Sequence, residues 1–159
     1  MKWLWLSALV IILDQLTKYQ ASQFLALHEP RAIITGFNLT LMHNTGAAFS
    51  FLSQAGGWQR WLFIGIGSVI GTGIIIWMIG LPSEKRWLAA ALALILGGAF
   101  GNLLDRIVLG YVIDFIEVYY RGWYWPAFNI ADSAITIGAI MLIIDAFWFD
   151  DGNVSTRTG

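Results

Sequence analysis

The sequence predicts an all-α membrane protein: a bundle of four transmembrane helices, with a small β element covering one end. Three observations predict it. Of the 159 residues, 58% are hydrophobic and only 12% are charged, against roughly 45–50% apolar in soluble domains. Four apolar runs each approach the roughly 20 residues needed to cross the bilayer core as a helix. Two connecting segments have instead the residue pattern of strands. The length fits one domain, 1–159. Nine tryptophans and five tyrosines suit the bilayer interface, where amphipathic rings are favoured. A net charge of −1 gives no reason to expect nucleic acid. The lack of cysteine removes disulfides, thiolate nucleophiles and cysteine zinc sites.

The first run extends from Trp3 to about Leu25. Lys2 and the apolar stretch Trp3 to Leu13 resemble the start of a secretory signal. The pattern continues through Asp14 and Lys18 with no small-residue cleavage site, so the segment reads as a retained span. The second run covers Trp61 to Ile79, the third Trp87 to Leu109 and the fourth Ile130 to Phe149. Leu-Pro-Ser-Glu-Lys-Arg at 81–86 is a short polar turn, which makes the second and third helices antiparallel neighbours. The tail 150–159 is polar and expected to be mobile.

On the other face, residues 38–44 partly alternate polar and apolar, and residues 111–120 are β-branched and aromatic. Both read as strands. An open sheet edge is not tolerated in lipid, so this element belongs at the interface or against protein. Orientation is not decided by charge: Lys2, Lys85, Arg86 and Arg157 on one face stand against Lys18, Arg31, Arg60, Arg106 and Arg121 on the other.

The residues that invite a functional reading are Asp114, in Val-Ile-Asp-Phe-Ile, and Asp132, in Asn-Ile-Ala-Asp-Ser. An ionised carboxylate deep in a bilayer costs roughly 2.5–3.5 kcal/mol on insertion scales, so two beside apolar spans suggest work. Asn129 is placed to cap the fourth helix, and Asp132 then falls in its first turn, where the macrodipole favours negative charge. If the two aspartates share a site, one proton is shared between them. Asp132 is then expected to hold the charge and Asp114 the proton. The bland alternative makes Asp132 a helix cap only, which leaves Asp114 unexplained.

On the third span Asn102, Asp105 and Arg106 share one helical stripe. Arg106 either neutralises Asp105 or holds a substrate carbonyl or phosphate. Gly97 and Gly101 have the spacing that lets helices approach closely and read as packing. Asp14 and Lys18 are four apart with the acid first, the better order for an intrahelical pair; pairing makes both tolerable near lipid, and the alternative role is help in positioning the active face. Asn44 to Ser50, with Gly46, combines an amide with small residues that permit close backbone approach to a ligand. His28-Glu29 lacks the second histidine of a zinc protease motif, and no serine sits in a nucleophile elbow. No metal or other cofactor is expected.

In order along the chain, these segments resemble lipoprotein signal peptidase, the bacterial signal peptidase II family. The residues are Asp14-Gln-Leu-Thr-Lys18, Asn44-Thr-Gly-Ala-Ala-Phe-Ser50, Gly97-Gly-Ala-Phe-Gly-Asn-Leu-Leu-Asp-Arg106, Val112-Ile-Asp-Phe115 and Phe128-Asn-Ile-Ala-Asp-Ser133. The resemblance implies a four-helix transmembrane bundle with a small extracytoplasmic β-cradle, in the inner membrane, with both termini cytoplasmic. It implies an aspartyl endopeptidase that cleaves lipid-modified prolipoproteins before the diacylglyceryl cysteine. Asp114 and Asp132 match the catalytic dyad. Asn44, Gly46, Asn102, Arg106 and Asn129 match substrate-site positions, and Asp14, Lys18 and Asp105 supporting ones. It further implies inhibition by globomycin-like cyclic peptides, and the chain is expected to act as a monomer. The rival from another class is a small ion or proton carrier relaying through Asp14, Asp105, Asp114 and Asp132, which requires carboxylates spread through the membrane depth.

Overall fold

The structure, a computed structural model, describes residues 2–46 and 57–148. The 47–50 part of the small-residue motif and the 150–159 tail lie outside the described residues. Four helices are present: α1 (Leu4–Phe24), α2 (Trp58–Ile79), α3 (Arg86–Val108) and α4 (Ile130–Trp148). Among the described residues, α2, α3 and α4 are long and apolar enough to cross a membrane. The fourth expected span, α1, has the length, but its second half carries Asp14, Gln15, Lys18 and Gln20. Three of its turns present polar side chains inward, so α1 reads as apolar on its outer face only.

The helix at the centre is α3, which packs on α1, α2 and α4. Its buried surface sets the small residues Ala89, Ala91, Ala93, Gly97, Gly98 and Gly101 among Leu88, Leu92 and Leu96. Small residues allow backbones to touch, the main source of helix adhesion where apolar burial is already supplied by lipid. A Cβ on Gly97 would lie 2.8 Å from the Ser7 carbonyl oxygen of α1, and one on Gly101 would lie 2.7 Å from an Asp14 oxygen. Gly98 is pressed in the same way against Ala131 of α4. The packing reading of this glycine spacing therefore holds. By contrast, the outward surface of α2 exposes Trp58, Trp61, Val69, Ile76 and Ile79, as a lipid-facing helix should.

The sheet joins the end of the bundle where α1 finishes and α4 begins. Its strands are β1 (Arg31–Ile34), β2 (Phe37–Asn44), β3 (Val112–Tyr120) and β4 (Trp123–Tyr124), antiparallel in the order β1-β2-β3-β4. The two strands expected from the sequence are β2 and β3. Strands β1 and β4 were not foreseen: β1 is exposed at every residue and has no alternation, and β4 is two residues long. The first half of β3, Val112 to Phe115, is buried without alternation, because one face meets the sheet core and the other the helix ends. Ala21, Leu41, Ile113 and Phe115 form the apolar seal at this junction.

Candidate active site

The register between β2 and β3 sets Met42 opposite Asp114. Asn44 is two residues further along β2, on the same face, and reaches Asp114 diagonally. Its Nδ2 donates to Asp114 Oδ2 at 2.9 Å. Asn44 Oδ1 in turn accepts from the N–H of Gly46 at 2.9 Å. Gly46 has φ +99° and lies against the Phe63 ring, so a side chain there would be strained twice over.

Asn129 caps α4 as expected, and the cap is reciprocal. Asp132 N donates to Asn129 Oδ1 at 2.9 Å, while Asn129 N donates to Asp132 Oδ2 at 3.3 Å, an aspartate version of the capping box. The same Asn129 side chain turns its Nδ2 toward Asp114 Oδ1 at 2.7 Å. Asn102 Nδ2 donates to Asp132 Oδ1 at 2.7 Å, and Asn102 Oδ1 accepts from Asn129 Nδ2 at 3.1 Å. The two aspartates are thus tied together through two asparagines and interact electrostatically. Each carboxyl receives two donors.

Asp114 is 2% exposed. Burial pushes its carboxyl from 3.8 up to about 7; the Asn44 and Asn129 hydrogen bonds oppose this, and the Asp132 charge reinforces it. Such a group is poised to hold or release a proton near neutrality. Asp132 lies in the first turn of α4 and is half-buried.

Below this layer is a second cluster. Lys18 Nζ is 2.7 Å from Asp14 Oδ2, 2.9 Å from Asp105 Oδ2 and 3.0 Å from Asn102 Oδ1. The Asp14–Lys18 pair exists, but it is enclosed in the bundle rather than set near lipid: Asp14 is 0% and Lys18 1% exposed. Asp14 Oδ1 also accepts the Ala131 N–H at 2.9 Å, so α1 supplies a second cap to α4. The expectation that Arg106 neutralises Asp105 is corrected. Asp105 pairs with Lys18 and accepts the Ile113 N–H at 3.1 Å. Arg106 instead lies 5.0 Å over the Phe63 ring and donates to the Asn102 carbonyl at 3.3 Å. Asp14, Asp105, Asp114 and Asp132 are all gathered at one end of the bundle, unlike the spread that a transmembrane relay needs.

Gln15 was not singled out, yet its Nε2 donates to Asp105 Oδ1 at 2.9 Å and to the Gly101 carbonyl at 3.2 Å. Its position between Asp14 and Lys18 was the available signal. Next to Asn102 and Arg106 opens a cleft of about 270 Å³ between α2, α3 and α4, lined by Phe63, Ile66, Ile70, Ile95 and Ile135. A larger cleft of about 590 Å³, between Trp3, Trp5 and the α2–α3 turn, touches none of the candidate residues.

This arrangement has relatives. Residues 6–148 match the family described as signal peptidase (SPase) II. The chain belongs to the signal peptidase II family. It is 55% identical over 148 residues to a lipoprotein signal peptidase of Acinetobacter baylyi, covering 93% of this chain and 83% of that one. It is 54% identical over 147 residues to the lipoprotein signal peptidase of Pseudomonas syringae pv. tomato, covering 91% and 85%. A bacterial membrane enzyme solved by the in meso method at 1.9 Å resolution superposes with a TM-score of 0.83 at 32% identity, covering 95% of this chain and 94% of that one. The protein is accordingly a peptidase of this membrane family, and the signal peptidase II resemblance read from the motifs holds.

Proposed function

We propose that this chain removes signal peptides from diacylglyceryl-modified prolipoproteins by aspartyl catalysis, cutting before the lipid-bearing cysteine. The observation that carries the proposal is the sharing of Asn129 between Asp114 and Asp132. One residue holds two carboxyls in a fixed relation at the end of the bundle, Asp114 through its side-chain amide and Asp132 through its backbone N–H.

In this reading Asp132 is the ionised partner and Asp114 the protonated one. Asp132 takes a proton from a water held between them, and the resulting hydroxide oxygen bonds to the scissile carbonyl carbon. Asp114 gives its proton to the carbonyl oxygen, which becomes the second hydroxyl of a tetrahedral diol. Collapse returns one proton to Asp114. The proton on Asp132 passes to the leaving nitrogen, and the C–N bond breaks. No covalent enzyme intermediate is formed. The elevated titration of Asp114, to about 7, supports its role as the acid. Asn44, Asn102 and Arg106 hold the peptide backbone with Gly46. The apolar cleft beside Arg106 takes hydrophobic parts of the substrate, so that binding energy positions the bond to be cut.

The same reading has α1 as a fourth span, its polar face turned inward against α3 and α4. Both termini are cytoplasmic, the sheet is extracytoplasmic, and the enzyme works as a monomer in the inner membrane. Globomycin-like cyclic peptides compete for the dyad. The deciding experiment incubates purified protein with lipid-modified and unmodified precursor in parallel. Selective cutting of the modified form before its cysteine is expected; equal cutting of both removes the proposed substrate class, and no cutting of either removes the proposed activity.

A further inference from the structure

We propose that Lys18 is a positioning residue for this reaction, acting through Asn102: its ammonium dictates which end of that amide faces Asp132. The inference rests on the aspartate-dyad reading above.

An ammonium has three donors and no acceptor. In this protein all three are engaged, by Asp14, Asp105 and Asn102. The atom of Asn102 that meets Lys18 must therefore be its oxygen, because an NH₂ there would set donor against donor. With the oxygen fixed, the amide nitrogen is left to face Asp132 Oδ1, which it does at 2.7 Å. Asn129 alone is a weak second guide. Its two amide hydrogens are shared among Asp114 Oδ1 at 2.7 Å, Asn102 Oδ1 at 3.1 Å and the Ile113 carbonyl at 3.2 Å. The charge-assisted bond from Lys18 is the stronger constraint. Without it the amide is free to turn, and a turned Asn102 presents a lone pair to a carboxylate.

Lys18 is itself held rigidly. Asp14 and Asp105 anchor its head, and each also binds a backbone N–H, of Ala131 and Ile113 respectively. These two N–H groups lie one residue from Asp132 and one residue from Asp114. The ammonium is thus registered to the backbone that carries both members of the dyad.

The test is a double-mutant cycle with Lys18→Met and Asn102→Ala in the full-length chain, using a synthetic precursor peptide bearing a diacylglyceryl cysteine. Lys18→Met is expected to lower kcat on the order of 10²-fold, the scale of a misplaced catalytic group. The loss should fall mainly on kcat, with a smaller rise in KM because Asn102 also meets the peptide backbone. The acid limb of the pH–rate profile should move to higher pH, because a carboxylate that has lost a donor is harder to keep charged. The double variant should lose no more than Asn102→Ala alone, the signature of two residues acting in series. Multiplying losses, or a lowered kcat with an unmoved acid limb, would overturn the inference. If Lys18→Met alone does not fold, the cycle is run in an Asp105→Asn background, which removes the surplus buried charge, with the same outcomes decisive. An Asp132→Asn control separates the two claims: turnover by that variant removes the dyad, whereas multiplying losses beside an inactive Asp132→Asn remove only the role of Lys18.

Discussion

Two pairs of aspartates sit in adjacent layers of this protein, and their partners differ. Asp14 and Asp105 share an ammonium at 2.7 and 2.9 Å. Asp114 and Asp132 are held by asparagine amides and by the Asn129 N–H, and among the described residues neither forms an ion pair. A cation satisfies a carboxylate and makes it inert. Amides orient a carboxyl without supplying a counter-charge, which makes the upper pair the candidate to share a proton. The same residue type, a few ångströms away, becomes scaffold in one layer and a candidate acid–base pair in the other.

Substitution of the upper pair should break the contrast most severely. Asp114→Asn or Asp132→Asn is expected to reduce cleavage by at least about 10³-fold, within the range typical of a lost acid or base, while detergent-solubilised protein keeps its helix content and elution position. Activity near wild type in either variant would refute the dyad. In the lower pair, Asp14→Ala should instead act on stability. It strips Lys18 of a partner and α4 of a cap, and breaking a buried ion pair costs about 3–5 kcal/mol. Denaturant unfolding measures this, and an unshifted midpoint would show that the cluster is not structural.

A finer distinction concerns the proton. Asp114 is pushed up to about 7, so it is protonated below that pH and loses its proton as pH rises through it. Activity that needs the acid form should therefore fall on the basic side of about 7. The Asn44 hydrogen bond favours the charged form, so Asn44→Ala should move that basic limb to higher pH while lowering the maximal rate. Movement to lower pH in kcat/KM profiles would contradict the assignment. The smallest effect belongs to Glu84→Gln in the α2–α3 turn, remote from both layers: its exposed carboxyl has local partners, among them the neighbouring Ser83. Cleavage and unfolding should both be unchanged within error.

Much of this organisation was legible in the sequence, for physical reasons. Spans α2, α3 and α4 announce themselves by length and apolarity. The Asn129 cap and the first-turn place of Asp132 follow from local chemistry. Strands β2 and β3 carry recognisable patterns, whereas β1 and β4 lack alternation because neither buries a face. The lower cluster was half visible. Asp14 and Lys18 are neighbours on one helix, but Asp105 and Asn102 join them only when α1 and α3 pack glycine against side chain, as Gly101 does against Asp14. For Arg106, adjacency offered Asp105 as one partner and a substrate group as the other. Its position over Phe63 depends on α2, which no spacing within α3 reveals.

Asn129 starts a helix and orients Asp114 with the same amide group. Fraying of the first turn of α4 and disarming of the proposed catalytic pair are then one event. Gentle heating should silence the enzyme while its spans remain inserted, making this residue a fuse that trips well before the bundle melts.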